Sequence, residues 1–281
     1  MTQKTIGFIG AGKMCNAMLE SFFRASMITP EQVIVSDKNR ENLLLIKKKF
    51  GIDAVTDNKE VASRAKILFL SVKPQDMPHL LNEISSEVHK NQLVVSIAAG
   101  VPLEKISSKL DAKVAGEARF SPIISKKVAR VMPNTPFMVG EGMAAVAFSK
   151  NFTAHEKKRV KRLLEAAGKC IELDEKHFDA VTAVSGSGPA FYAVMVEAMI
   201  DAGIKQGLDR KHAELLALQT MHGTARLMLE KNISPQELVG MVASKGGTTE
   251  AGLKHLLSSS FKADVQKTIA AAAKRSKELS K

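Results

Sequence analysis

The sequence has no tryptophan, one tyrosine and twelve phenylalanines, so aromatic residues make up 5% of it. Its cores must be filled by aliphatic side chains, and thirteen methionines with abundant alanine point to closely packed helices with methionine as gap filler. Cysteine is equally scarce. Cys15 and Cys170 form no C-x-x-C pair, which excludes a disulfide framework and fits a reducing compartment. Seven histidines form no H-x-x-x-H pattern and no Cys/His cluster, so no metal site is expected. No apolar run approaches the roughly 20 residues of a spanning helix, and Met1–Lys4 lead into a strand-like stretch with no leader pattern. The reading is a cytoplasmic protein with no membrane partner.

What is present is ordinary for a soluble globular chain: 45% hydrophobic and 25% charged residues over 281 positions, enough for about two domains. The formal charge is +12, which raises nucleic acid as a partner. The basic clusters are short, as in Lys47-Lys48-Lys49 and Lys157-Lys158-Arg159, and aromatics do not interleave with them. They read as a solvated basic surface that attracts anionic ligands, with no nucleic-acid partner.

Along the first half, strands alternate with helices. Strand patterns lie at Ile6–Ile9, Val33–Val35, Ile52–Val55, Lys66–Ser71, Gln92–Ile97, Val128–Met132 and Met143–Phe148, with a last one at Gly168–Leu173. Helical patterns follow Met14 to Phe22, Arg40 to Phe50, Pro74 to Val88 and Thr153 to Gly168, the last opened by a Thr153/Glu156 capping box. Such alternation predicts a parallel sheet covered on both faces. Beyond about Phe178 strands vanish. The stretch from Pro189 is apolar almost all round, as in a buried helix, and a second subunit is the economical way to bury it. The Ala-Lys-rich end from Ala270 reads as a helix that frays. The fold expectation is α/β: a Rossmann domain over 1–170 and an all-α domain over 171–281.

Ile9-Gly10-Ala11-Gly12-Lys13-Met14-Cys15 follows the first strand and opens the first helix. It is a G-x-G-x-x-(G/A) pattern with Cys15 in the third place. Gly10 permits the tight turn, Gly12 lets backbone approach a pyrophosphate, and Cys15 is small enough for helix and strand to pack. Helix N–H groups, beginning near Lys13 and Met14, then face the phosphates. Cys15 at a helix start also raises a low-pKa thiol; a packed small residue is the simpler reading. Ser36-Asp37-Lys38-Asn39-Arg40 closes the second strand. Asp37 there favours NAD through a ribose hydroxyl, whereas Ser36, Lys38, Asn39 and Arg40 suit a 2′-phosphate. The balance leans to NADP and leaves NAD open. Ser185 and Ser187 lie in a helix-entry turn before Pro189, with no histidine at a telling spacing for a nucleophile.

Taken together, Phe8–Met14, Ser71–Pro74 (S-V-K-P), Ser96–Val101 (S-I-A-A-G-V), Arg130–Pro136 (R-V-M-P-N-T-P), Val184–Ala190 (V-S-G-S-G-P-A) and Gly246–Thr249 (G-G-T-T) resemble the Δ1-pyrroline-5-carboxylate reductases over nearly the whole chain. That resemblance implies reduction of L-1-pyrroline-5-carboxylate to L-proline by NAD(P)H, in proline biosynthesis. It also implies a 6-phosphogluconate dehydrogenase-like architecture, with a Rossmann domain and a helical domain that pairs two chains, often within a decamer. The strand ends agree. Val72, Lys73 and Pro74, then Ala98, Ala99 and Gly100, then Met132, Pro133 and Asn134 are expected along the cofactor, with small residues beside the nicotinamide and Asn134 on its carboxamide. Each of these residue types also makes ordinary turns; their convergence on one sheet edge favours the cofactor. A helix starting near Thr248 would offer N–H groups to a carboxylate, with Ser244, Gly246, Gly247 and Thr248 lining the approach. In the resembled family the residue matching Thr249 bonds the imine nitrogen, which makes it the expected catalytic residue. Helix capping by Thr248 or Thr249 is the alternative. Lys245 departs from the family, which usually has proline there. The 111–127 segment is longer than the family pattern. A hydroxy-acid or ketone reductase of the same superfamily, or a nucleotide-sensing protein, are the rival readings.

Overall fold

The computed structural model describes residues 3–111 and 126–280. The long segment noted above therefore lies almost wholly outside the described residues. The rest forms two compact units, 1–186 with 272–281, and 187–271.

The first unit alternates strand and helix as far as α5: β1 (Lys4–Ile9), α1 (Lys13–Arg24), β2 (Val33–Ser36), α2 (Arg40–Phe50), β3 (Asp53–Val55), α3 (Asn58–Arg64), β4 (Ala65–Leu70), α4 (Met77–Ile84), β5 (Leu93–Ser96), α5 (Leu103–Asp111), β6 (Lys127–Pro133), β7 (Gly142–Phe148), α6 (Ala154–Glu165) and β8 (Gly168–Glu172). The sheet order is β3-β2-β1-β4-β5-β6-β7-β8. The side-chain period of two divides each strand between two cores. On one face Phe8 stacks on Phe69 at 4.6 Å, with Phe22 of α1 beside them. On the other, Ile9, Ile34, Leu68 and Leu70 meet residues of α3, α4 and α5. Each fully buried side chain of this size contributes about 1.5–3 kcal/mol.

One expectation about the sheet needs correction. β7 runs antiparallel to β6, with Met132 opposite Ala145. The residues between them, 134–141, hold only a 3₁₀ turn at Thr135–Val139, too short for the crossover that parallel strands require. α3 and α5 carried no assignment in the sequence reading. α3 is seven residues long and buries only Val61 and Ala62, too little periodicity to recognise. The Thr153/Glu156 capping box is present: Glu156 N–H donates to Thr153 Oγ1 at 3.3 Å and Thr153 N–H to Glu156 Oε2 at 2.9 Å.

The first unit extends past 170 because the next segment stays on the sheet. Phe178, in the short helix α7 (Phe178–Val181), is buried with Ala145 and Ala147. Arg130 of β6 holds it there: its guanidinium lies 4.8 Å from the Phe178 ring centre and 2.9 Å from Glu175 Oε1. The same Glu175 oxygen accepts the Leu103 N–H at 2.8 Å. A π-type turn, Thr182–Gly186, ends the unit.

The second unit is helical: α8 (Gly188–Lys205), α9 (Arg210–Lys231), α10 (Pro235–Val242), α11 (Thr248–Ser258) and the first half of α12 (Phe261–Leu279). Val196 and Ile200 of α8 meet Ala213 and Ala217 of α9 in a small core. Tyr192, Val194, Leu215, Leu216 and Leu218 are all more than half exposed, an apolar surface of the kind that meets another protein. The expectation that no segment reaches spanning length also needs correction. Glu175–Lys205 is, among the described residues, the one helical stretch long and apolar enough by composition to cross a bilayer; composition of this kind also fits an interface helix. The C-terminal helix is anchored near its end. Within the first unit, Ser276 Oγ donates to Asp179 Oδ1 at 2.7 Å, and Leu279 covers Gly100.

Candidate active site

The sheet register decides which loops share an edge. Ser36, Ile9, Leu70, Ser96 and Arg130 form one row across five parallel strands. The residues that follow them on β1, β2, β4, β5 and β6 therefore emerge side by side at the carboxyl edge, where open α/β sheets bind ligands. The glycine loop, 36–40, 72–74, 98–100 and 132–134 all lie there.

The glycine loop is shaped for close approach. Gly10 has φ +102°, and a Cβ there would lie 2.6 Å from the Ser71 carbonyl oxygen. Ser71 fastens the loop to β4: its N–H donates to Ile9 O at 2.9 Å and its hydroxyl to Gly10 O at 2.6 Å. Gly12 is the N-cap of α1, with no side-chain cap, and nothing lies within 4 Å of where its Cβ would be. Lys13 and Met14 open the helix. A cleft of about 420 Å³ beside them is lined by Ala11, Gly12, Lys13, Asn16 and Asn42. Open backbone N–H groups, a bare Gly12 and an adjoining cleft fit a pyrophosphate.

Asp37 does more than the sequence suggested. It accepts from Ala11 N–H at 2.7 Å, Asn39 N–H at 2.7 Å and Asn42 Nδ2 at 3.3 Å, tying the second strand to the glycine loop. Its own position at a strand end was the sequence signal. Lys38, Asn39 and Arg40 are exposed beside it; Asn39 caps α2 by accepting Glu41 N–H at 2.8 Å. Ser36 does not join them. It shares the face of Ile34 by strand alternation, is fully buried, and donates to Asn58 Oδ1 at 2.8 Å.

Val72 is half-buried, and Lys73 and Pro74 are exposed at the start of a 3₁₀ turn. Ala98 is buried, Ala99 exposed, and Gly100 has φ +74° with the Leu279 carbonyl 3.4 Å from its would-be Cβ. Pro133 ends β6. Asn134 holds the next strand: its Oδ1 accepts Met143 N–H at 2.8 Å and its amide donates to Ser185 Oγ at 3.4 Å. Met132 Cε lies 2.3 Å from a Cβ built on Gly186, so a larger residue in that π-type turn would displace the methionine's end.

Cys15 is no activated thiol. It is fully buried, and burial followed by the Asp37 charge pushes its pKa well above the ordinary value. Burial also raises Cys170, to about 12. Thiolate is the reactive form, so native protein treated with iodoacetamide at pH 8 is expected to stay unlabelled and fully active. Mass spectrometry checks this, and labelling should appear only after denaturation.

In the second unit, α11 begins at Thr248 with Gly247 as N-cap and no side-chain cap bond. Among the described residues neither the Thr248 nor the Thr249 hydroxyl makes a capping bond in its place. Gly246 takes φ +74°, and its N–H donates to Glu250 Oε2 at 2.6 Å. Gly247 N–H donates to Ser244 O at 3.0 Å, and a Cβ on Gly247 would lie 2.5 Å from Ser244 Oγ. Glu250 was missed by the sequence reading; its position four residues after Gly246, in the first turn of a helix, was the available signal. Thr249 is half-buried, and Lys245 is exposed.

Comparison with known proteins bears on this geometry. Residues 175–279 match the family model for pyrroline-5-carboxylate reductase dimerisation. A pyrroline-5-carboxylate reductase of Methanosarcina acetivorans is 39% identical over 281 residues, covering 100% of both chains. This chain belongs to the pyrroline-5-carboxylate reductase family. Residues 5–100 also match the model described as NADP oxidoreductase coenzyme F420-dependent. Among solved structures, the pyrroline-5-carboxylate reductase of Coxiella burnetii superposes with TM-score 0.88 at 32% identity, covering 100% of both chains. The Plasmodium falciparum pyrroline carboxylate reductase with NADP bound gives TM-score 0.83 at 32% identity, again over 100% of both. Family membership accounts for the two-part architecture, a Rossmann sheet followed by a helical dimerisation domain.

Proposed function

We propose that this chain reduces L-1-pyrroline-5-carboxylate to L-proline with NADPH, the last step of proline biosynthesis. The observation that carries the reading is the Gly246–Thr249 turn. In a chain of this family it opens α11 with a glycine cap, and its threonine hydroxyls remain available to a ligand. Bound NADPH supplies the hydride. The protein's part is to bind, orient and polarise. Gly10, Gly12, Lys13 and Met14 hold the pyrophosphate at the α1 N-terminus. Asn39 and Arg40 hold the 2′-phosphate, because Arg presents the fork that phosphate prefers. Val72, Lys73, Pro74, Ala98, Ala99, Gly100, Met132, Pro133 and Asn134 line the nicotinamide end.

On the substrate side, Ser244, Gly246, Gly247 and Thr248 receive the carboxylate, and Thr249 bonds the ring nitrogen. A cyclic imine is readily protonated by solvent, so no strong general acid is needed beside it. We assign the nucleotide to 1–170 and substrate binding and dimerisation to 171–281, in a cytoplasmic homodimer formed through the C-terminal helices, which can assemble further to a decamer.

The test is NADPH and NADH consumption with pyrroline-5-carboxylate. Turnover is expected, with the higher kcat/KM for NADPH; no turnover with either cofactor would overturn the assignment. Arg40→Ala is expected to lower the NADPH-to-NADH ratio of kcat/KM about tenfold, the size of one charge-assisted phosphate contact.

A further inference from the structure

The first unit carries a second cleft, larger than the one at the glycine loop. It measures about 590 Å³ and lies toward the opposite, amino-terminal edge of the sheet, where Thr5 and Ile6 of β1 and Ile67 of β4 lie in the first halves of their strands. One wall is the loop after α1, Ala25–Ile28, in which Ser26 takes a left-handed φ of +52°. The other wall is α6, which contributes His155, Lys158, Arg159 and Arg162. Their spacing of i, i+3, i+4 and i+7 sets them in one stripe. No acidic residue lines the cleft among the described residues.

The charge arrangement on α6 is uneven. On its other side, Lys157 and Lys161 both reach Glu172, at 2.6 and 4.0 Å, and Glu156 takes Lys127 at 2.6 Å. The four cleft residues have no ion pair among the described residues. Like charges three and four positions apart destabilise a helix by a few tenths of a kcal/mol per pair. Lys158, Arg159 and Arg162, without ion pairs among the described residues and bordering a concave surface, are an arrangement that an anion relieves. Two arginines suit phosphate in particular. The floor is apolar, with Ile28 and Leu163, and the volume falls within the roughly 300–1,000 Å³ of small-molecule sites.

We propose that this cleft binds a phosphorylated organic anion of mononucleotide size, with phosphates on the α6 stripe and the flat apolar part on the floor. It is separate from the dinucleotide edge: the twelve residues of α1 span about 18 Å between the glycine loop and this cleft.

The probe is magnesium-free ATP, titrated calorimetrically into full-length protein saturated with NADPH, so that the glycine loop is already filled. One saturable site per chain is expected. The affinity should fall at least tenfold in Arg159→Ala/Arg162→Ala, and it should weaken as salt rises. Tripolyphosphate should bind at least threefold more weakly than ATP. Lys157→Ala/Lys161→Ala, on the paired side of the same helix, should change affinity less than twofold, and thermal denaturation checks that both variants fold. Absence of saturable binding to the NADPH-saturated protein would overturn the proposal, as would equal affinity in the arginine variant. Equal affinity for tripolyphosphate would overturn the nucleotide-sized class. None of these readouts depends on reductase turnover.

Discussion

Thr249→Val should lower kcat with pyrroline-5-carboxylate by about 10²-fold or more, the usual cost of removing one positioned hydrogen-bonding group at a reacting centre. The NADPH dissociation constant should stay unchanged, because Thr249 lies on α11 and the nucleotide-binding edge is built from the strand ends. Stability should also stay within about 0.5 kcal/mol of wild type. That last expectation comes from the structure: Gly247 is the N-cap of α11, and no threonine side chain caps it. Steady-state kinetics, NADPH fluorescence titration and thermal denaturation on one preparation separate the outcomes. Full activity with a lowered melting temperature would make Thr249 a structural residue and place the substrate elsewhere. Valine matches threonine in shape, so the comparison isolates the hydroxyl.

The second large effect is expected at Gly10. Replacing it with alanine demands φ +102° from a residue with a Cβ, and sets that Cβ 2.6 Å from the Ser71 carbonyl oxygen. The added carbon meets backbone and not a movable side chain. Neither side can move freely, because Ser71 is bonded to Ile9 O and Gly10 O. Strain and overpacking together should cost about 3 kcal/mol, and NADPH binding should be lost with the loop geometry. Gly12→Ala is the informative partner. Gly12 has φ −74° and open space where its Cβ would be, so the variant should fold with wild-type stability. It should nonetheless bind NADPH at least tenfold more weakly, since the added methyl enters the phosphate approach. Chemical denaturation and NADPH titration of both variants check the pair. Equal stability loss in the two would contradict the distinction between a glycine required by the fold and one required by the ligand.

Much of this site could be read from residue order alone. Short apolar strands ending in Gly10, Ser36, Ser71, Ala98 and Pro133 follow from local chemistry: β-rich runs terminated by glycine, proline or small polar residues. The helix start at Thr248 was legible for the same reason, since Gly246 and Gly247 interrupt helical pattern on both sides. Where local pattern stops short, the deciding contact is long-range. Ser36 reads as a phosphate ligand by position, and only the fold shows that its hydroxyl donates to Asn58, twenty-two residues on. Asp37 looked like a ribose ligand; its bonds to Ala11 and Asn42 also make it the clasp of the glycine loop.

The sequence by itself determined the α/β class, the strand–glycine–helix unit, the capping box at Thr153 and the change to helix in the last third, because these depend on periodicity and on residues within a few positions of one another. Tertiary structure alone decided the attachment of Phe178 to the sheet through Arg130 and Glu175 and the return of α12 to cover Gly100. Those outcomes depend on burial and pairing between residues tens of positions apart. Such contacts leave no local pattern, because either partner alone would look the same in a different fold.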